Sequence, residues 1–171
     1  MRHQILNTIL LLLLMLTATQ QASAQAFDGS DDRKLTIGYL QWGSKPAVEV
    51  GYQFGLADAV SIGAHIDYML ENLGDKYNDK LNGLEYLDFA IDCDVHAQDW
   101  LHMPMQTDVY GGVSASFAVL NCHVGYRYNL GEVVGLYASA GYNICRTFND
   151  NDLAQYIAHK WCLQAGITFS F

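Results

Sequence analysis

The segment WCLQAGITFSF, from Trp161 to Phe171, has an apolar side chain at every second position. Small or polar side chains occupy the positions between them. Successive side chains of a β-strand point to opposite faces, so this alternation predicts a strand with one apolar and one polar face. The same alternation recurs through most of the chain.

Seven further segments alternate, five of them strongly and two weakly. The strong ones are residues 48–56, 60–70, 87–95, 122–128 and 134–144, and the weak ones are residues 34–42 and 108–117. Eight consecutive strands suit an antiparallel barrel, and an even number is typical of single-chain bacterial membrane barrels. The sequence therefore predicts an all-β fold, namely an eight-stranded antiparallel β-barrel.

A soluble β-barrel or sandwich also alternates, so the period alone does not identify the solvent. Three features favour a membrane. The apolar faces approach the ~9–11 residues that a tilted strand needs to cross a bilayer. Tyr and Trp recur near segment ends, and the opposite face is polar or glycine instead of a second apolar core. The chain is 51% hydrophobic and only 16% charged, so a transmembrane barrel is predicted.

The first 24 residues are typical of a cleaved export signal. Arg2 and His3 precede an apolar run that includes residues 10–14, and Ala22-Ser23-Ala24 supplies the small residues of a cleavage site. A retained membrane helix needs about 20 apolar residues, but polar residues interrupt or bound this run. We therefore expect a signal peptide at residues 1–24, an N-terminal tail at residues 25–33 and an outer-membrane barrel at residues 34–171.

The net charge of −9 argues against nucleic acid as a partner, because recognition of nucleic acid begins with a basic surface. The nine Lys and Arg residues are scattered and form no cluster. Membrane lipid is the partner that the apolar faces predict.

The connections between predicted strands differ in length. Residues 57–59 and 130–132 form tight turns, whereas residues 71–84 and 146–159 are long and polar. With both termini in the periplasm, these short turns fall there and these long loops face outward, which is the usual asymmetry of such barrels. Two connections break the pattern, because residues 97–107 form a long periplasmic link and the outward connection near Ala118 is very short. The two long loops are the expected contact points for an unknown extracellular ligand.

Eight strands enclose an interior just wide enough for side chains to fill, so we expect a packed polar interior and no open pore. Folding the strands up and down brings five titratable side chains to similar heights inside the wall, namely Glu49, His65, Asp67, Asp88 and Asp92. A divalent cation site is one interpretation, and an acid–base pair for hydrolysis is another. The favoured interpretation is a hydrogen-bonded network with inward Asn121, His123, Arg127 and Lys160, without a metal or other cofactor.

The sequence gives little support for catalysis. Serines at positions 61, 114, 116 and 139 lie in predicted strands without a G-x-S-x-G pattern, and the chain has no GxGxxG, P-loop, HExxH or CxxC motif. His159 with Asp150 or Asp152 could form an enzyme site at the outer rim. We favour a non-enzymatic outer-membrane protein with a structural or surface-binding role, and a rim enzyme or a cation-binding interior is the alternative.

The four cysteines divide by side-chain direction. Cys93 and Cys122 are predicted to face lipid on strands separated by a third strand, so they are not expected to pair. Cys145 and Cys162 are predicted to face inward near the outer ends of the two final strands, where the antiparallel register could oppose them. An oxidising compartment permits a disulfide between these two, and the alternative is that each serves as a small apolar residue.

The export signal, the eight alternating segments and the terminal Phe171 resemble the small eight-stranded outer-membrane barrels of the OmpA/OmpX type, within the outer membrane protein beta-barrel domain family of Gram-negative bacteria. The resemblance covers nearly all of the mature chain. In that family the final strand carries an assembly signal, which here falls on Trp161, Gly166, Phe169 and Phe171. The resemblance therefore implies barrel-insertion machinery as a partner and the bacterial outer membrane as the location.

Overall fold

The computed structural model describes residues 25–71, 83–148 and 152–171, and their strands close into one antiparallel barrel in the order of the sequence. The strands are β1 (Arg33–Trp42), β2 (Lys45–Ala57), β3 (Val60–Met69), β4 (Leu87–His96), β5 (Thr107–Ser116), β6 (Val119–Asn129), β7 (Val134–Arg146) and β8 (Trp161–Ser170). β1 pairs with β8, from Lys34 opposite Ser170 to Trp42 opposite Cys162, which closes the wall. The predicted all-β, eight-stranded antiparallel barrel is confirmed, and the predicted signal peptide at residues 1–24 lies outside the described residues.

The period-two pattern of the sequence becomes the two faces of this wall. Val50 is 51% exposed on the outside, while Glu49 and Gly51 on either side of it are buried. The same alternation follows β4, where Phe89 and Ile91 are exposed and Asp88 and Ala90 are buried. The outer surface is therefore apolar, and the polar side chains are enclosed.

The barrel has two distinct ends. The terminal end carries the start of β1, the end of β8 and the connections that follow β2, β4 and β6. The far end carries the other four connections, of which the links after β1 and β5 have only two residues each, 43–44 and 117–118.

Residues 25–32, which we call the plug segment, fill the terminal end. The Ala26 amide donates to the Met105 carbonyl at 2.6 Å, and the Asn129 side chain donates to the Gln25 carbonyl at 2.8 Å. A short 3₁₀ turn, Gly29–Asp31, then leads the chain into β1. The predicted N-terminal tail is thus packed into the barrel.

A short helix, α1 (Asp152–Ile157), covers the far end. Its buried residues Leu153, Ala154, Tyr156 and Ile157 pack on an apolar cluster at the mouth that consists of Leu40, Trp42, Ala47, Met69, Ala118 and Val119. The Asn143 side chain donates to the Ile157 carbonyl at 2.8 Å, which ties the helix to β7. The described part of the predicted loop 146–159 is therefore largely a cap on the barrel.

Another 3₁₀ turn, Gly83–Tyr86, precedes β4. Within the described ranges, no helix is long and apolar enough to cross a bilayer.

Ile157→Ala should loosen the cap, because this side chain is fully buried and its truncation leaves a cavity that costs about 2–5 kcal/mol. The amides of Ala158 and His159, which donate to Ala154 and Asn143, should then exchange hydrogen faster. Phe148→Ala is the matched control, since Phe148 is 88% exposed on the same loop. Equal exchange in the two variants would contradict this account of the cap.

Candidate functional site

Three carboxylates form a row across the inner face of β2, β3 and β4. Glu49 lies directly opposite Asp67, and Asp67 lies directly opposite Asp88. All three are buried. Like charges opposite one another destabilise a sheet, so this row needs compensation from its surroundings.

His65 lies beside the row, two residues from Asp67 on the same face of β3. Its Nε2 is 3.5 Å from Asp67 Oδ2, and its Nδ1 is 3.3 Å from Asp92 Oδ1. Gly63 makes room for Asp92, since a Cβ on this glycine would lie 2.7 Å from Asp92 Oδ2. The structure therefore brings all five sequence-predicted residues together on the inner face of three adjacent strands.

Side chains from the opposite wall hold the Glu49 end of the row. The Tyr137 hydroxyl donates to Glu49 Oε1 at 2.9 Å, and the Gln164 amide donates to Glu49 Oε2. Ser139 donates to Gln164 at 2.7 Å and fixes the amide orientation. These hydrogen bonds cross the interior of the barrel, so side chains span the interior at the height of Glu49.

A second network lies nearer the terminal end. Asp94 accepts from the Gln53 amide at 2.7 Å and contacts His123 Nε2 at 2.7 Å. Arg127 donates to Gln53 at 2.8 Å, and its guanidinium lies 5.2 Å from the centre of the Tyr110 ring. The predicted participation of His123 and Arg127 in an interior network is therefore seen in the structure.

Asn121 and Lys160 lie nearer the far end. Asn121 donates to Asn143 at 2.7 Å inside the wall. Lys160 was predicted to point into the interior, but its ammonium lies 4.6 Å from the centre of the Tyr156 ring in the cap. Lys160 precedes β8, where α1 covers the mouth, and this placement explains the difference.

A serine, a histidine and an aspartate line up at the terminal end. Ser61 Oγ is 2.8 Å from His96 Nε2, and His96 Nδ1 is 2.6 Å from Asp108 Oδ2. The Phe27 ring of the plug segment stacks on the His96 ring, with centroids 3.5 Å apart and planes 5° apart. Ser61 and Asp108 are fully buried, so the serine oxygen is closed to a substrate in this arrangement.

The alternation of the sequence places Ser61 in a strand but does not single out His96 or Asp108 as partners. His96 ends β4 and Asp108 is the second residue of β5. These two strands pair antiparallel, so both residues lie at the terminal end of the barrel. The period-two alternation does predict that the side chains of His96 and Asp108 face the interior, and this was the one signal in the sequence. The contact with Phe27 could not be predicted, because no periodicity positions the plug segment.

The predicted disulfide between Cys145 and Cys162 is wrong. Cys162 lies opposite Gly141, four residues from Cys145 along β7. A strand rises about 3.3 Å per residue, so the two Cα atoms are too far apart for a bridge. The β6–β7 register shifts next to Cys145, which leaves its side chain exposed instead of inward. All four cysteines are free, and Cys93 and Cys122 are exposed on the outer face as predicted.

The proposed assembly residues lie on or just after β8. Trp161 is exposed at the far end, Gly166 faces Gly38 inside the wall, and Phe169 pairs with Leu35 of β1 and Val134 of β7. The Phe171 amide donates to the Arg33 carbonyl at 3.0 Å. These placements agree with the predicted strand, and the assembly role stays a prediction.

The residues predicted for a rim enzyme do not form a described site. Asp152 begins α1, His159 is exposed with a φ of 59°, and Asp150 lies outside the described residues.

Phe27→Ala should release the plug segment, because the ring is buried and its loss removes both apolar burial and the stacking on His96. Truncation of a buried Phe costs about 3–5 kcal/mol, so residues 25–32 should become sensitive to limited proteolysis in the folded barrel. Asp28→Ala, at an exposed position of the same segment, is the control. Unchanged protection of the Phe27 variant would show that hydrogen bonds alone hold the plug.

Solved structures with the same fold are transmembrane barrels. The N-terminal β-barrel domain of Pseudomonas aeruginosa OprF has a TM-score of 0.56 and 12% identity, and the match covers 84% of this chain and all of that chain. Designed transmembrane β-barrels give a TM-score of 0.55 and 9% identity, covering 86% of this chain and 100% of theirs. The designed barrel TMB2.3, solved by NMR, has a TM-score of 0.54 and 15% identity, and the match covers 83% of this chain and 95% of that chain. At these identities the likeness shows the fold alone.

No curated protein matches the chain. A family model described as "Family of unknown function (DUF6646)" matches residues 17–171, which is most of the sequence. The chain belongs to this family.

Proposed function

We propose that this protein is a non-enzymatic β-barrel of the bacterial outer membrane, which anchors a structural or binding surface in the envelope. One observation carries the proposal. Each strand exposes a large aliphatic side chain on its outer face, and the exposed fractions lie between 45% and 56% for Ile37, Val50, Ile66, Ile91, Val113, Val124, Leu136 and Leu163. An apolar belt around the whole circumference is far larger than the patches that soluble monomers expose, so lipid is the solvent that suits it.

Strand length supports the same proposal. The eight strands have 10 to 13 residues, and a tilted strand needs about 9–11 to cross the hydrocarbon. Pairing of β1 with β8 leaves the wall without an open edge, as a barrel in lipid requires. Export through a signal peptide at residues 1–24 and insertion through the final strand complete the proposed route to the membrane.

The segments packed at the two ends favour an anchor over a channel. The plug segment fills one mouth and α1 covers the other, and a cavity of about 100 Å³ lies between them. Ser61 is fully buried, which favours a non-enzymatic role over hydrolysis.

The far end is the proposed contact surface. Leu84 and Phe148 are exposed there, at the edges of the two long connections. Most of loop 71–84 lies outside the described residues, so the ligand proposal rests on its length, polarity and position. Deletion within this loop should abolish contact with an extracellular ligand while the barrel still folds.

Val50→Arg should destabilise the barrel in lipid vesicles by about 2–4 kcal/mol, because a charge would replace an apolar side chain in the middle of the belt. Leu84→Arg is the matched control, since Leu84 is exposed outside the strands and its charge stays in water. The free energy of unfolding by urea is the measurement. A Val50 variant as stable as the control would contradict the membrane proposal.

The double substitution Phe169→Ser and Phe171→Ser should lower the amount of protein in the outer-membrane fraction, because it removes apolar residues from the proposed insertion signal. Ser170→Ala, between the two positions, is the control. Heat-modifiable mobility on gels reports whether the recovered chain has folded. A normal yield of folded double variant would rule out the assembly role of these residues.

A further inference from the structure

The interior cavity carries more negative than positive charge. Five carboxylates line it, those of Glu49, Asp67, Asp88, Asp92 and Asp94. Among the same lining residues Arg127 is the one permanent cation, and its described hydrogen bonds run to Gln53 and the Ala26 carbonyl. Buried charge without a partner is costly, so the cavity needs further positive charge or protons.

Asp67 is the point where this need is greatest. It is 4% exposed, and its Oδ1 accepts no hydrogen bond within the described part of the chain. Both residues directly opposite it in the sheet, Glu49 and Asp88, are acids. Asp67 lines a cavity of about 100 Å³, which has room for an ion and some water.

His65 is oriented as metal-binding histidines are. Its Nδ1 faces Asp92 Oδ1 at 3.3 Å, and this contact directs Nε2 toward the row, 3.5 Å from Asp67 Oδ2. A histidine that binds a metal usually donates its other ring N–H to a carboxylate, which fixes the tautomer and the ring plane. Asp92 fills that position here.

We propose that Glu49, His65 and Asp67 bind one divalent transition-metal ion, Zn²⁺ or Mn²⁺ in type, inside the barrel. One ligand atom from each of the three residues lies within 4.8 Å of the others. Bonds to such an ion are about 2.0–2.2 Å long, so a small rotation of the carboxylates brings the three atoms around it. One imidazole with two carboxylates favours these ions over Ca²⁺, which takes oxygen ligands.

The test is a titration of the folded protein in detergent after treatment with a chelator. Calorimetry with Zn²⁺, Mn²⁺ and Ca²⁺ in turn should give one site for Zn²⁺ or Mn²⁺ with higher affinity than for Ca²⁺, and the melting temperature should rise with that metal. Asp67→Asn and His65→Gln should abolish this binding. Asp92→Asn should weaken it by about 10- to 100-fold, because it removes the partner that orients His65.

Two control variants separate metal binding from general loss of buried polar groups. Asp108→Asn removes a buried carboxylate outside the cavity, and His123→Gln removes an imidazole that contacts Asp94 instead of the row. Both should keep the site. Metal-free Asp67→Asn should fold at least as stably as the unaltered protein, because it removes one of three adjacent like charges.

The proposal is overturned if the unaltered protein binds neither metal, if it prefers Ca²⁺, or if Asp67→Asn still binds. Loss of binding in the two controls to the same extent would also overturn it. If no cation binds, protons and hydrogen bonds account for the row.

Discussion

Closure of the sheet is the constraint on which the rest of this structure depends. Every strand has two neighbours, because β8 returns to pair with β1. A closed wall has one outside and one inside, and alternate side chains must divide between them. The apolar half meets the surroundings of the barrel, and the polar half has to be satisfied within a space that eight strands keep narrow.

The narrow interior explains why its polar groups contact across the barrel. Tyr137 of β7 reaches Glu49 of β2, and Arg127 of β6 reaches Gln53 of β2. Gly38 and Gly166 supply the room for Tyr137, since a Cβ on Gly38 would collide with its hydroxyl and a Cβ on Gly166 with its ring. In the acid row of β2–β4, one oxygen of Asp67 accepts no hydrogen bond from the described residues, and both residues opposite Asp67 are acids.

The sequence was sufficient to predict the strands of the wall, because the alternation of apolar and polar residues is a local pattern that is repeated on every strand. The sequence also predicted that Glu49, His65 and Asp67 lie close together. The alternation sets which side chains face the interior, and the short turn between β2 and β3 sets their positions along the barrel axis. Prediction from the sequence failed where the chain departs from the alternating pattern. A register shift in β7 moved Cys145 to an exposed position, and the burial of Phe27 and Ile157 depends on segments without a period. Contacts formed by plugs and caps arise from tertiary packing that alternation does not encode.

The central claim is that lipid solvates the outer face of this barrel, and the native cysteines allow a direct measurement. Cys93 lies on the outer face of β4, opposite Ile62 and Val113. A nitroxide spin label can be attached there after the other three cysteines are replaced by serine, and the protein reconstituted in vesicles. The account predicts frequent collisions with oxygen, which concentrates in lipid, and few with a water-soluble nickel complex. Greater access to the nickel complex than to oxygen would contradict it.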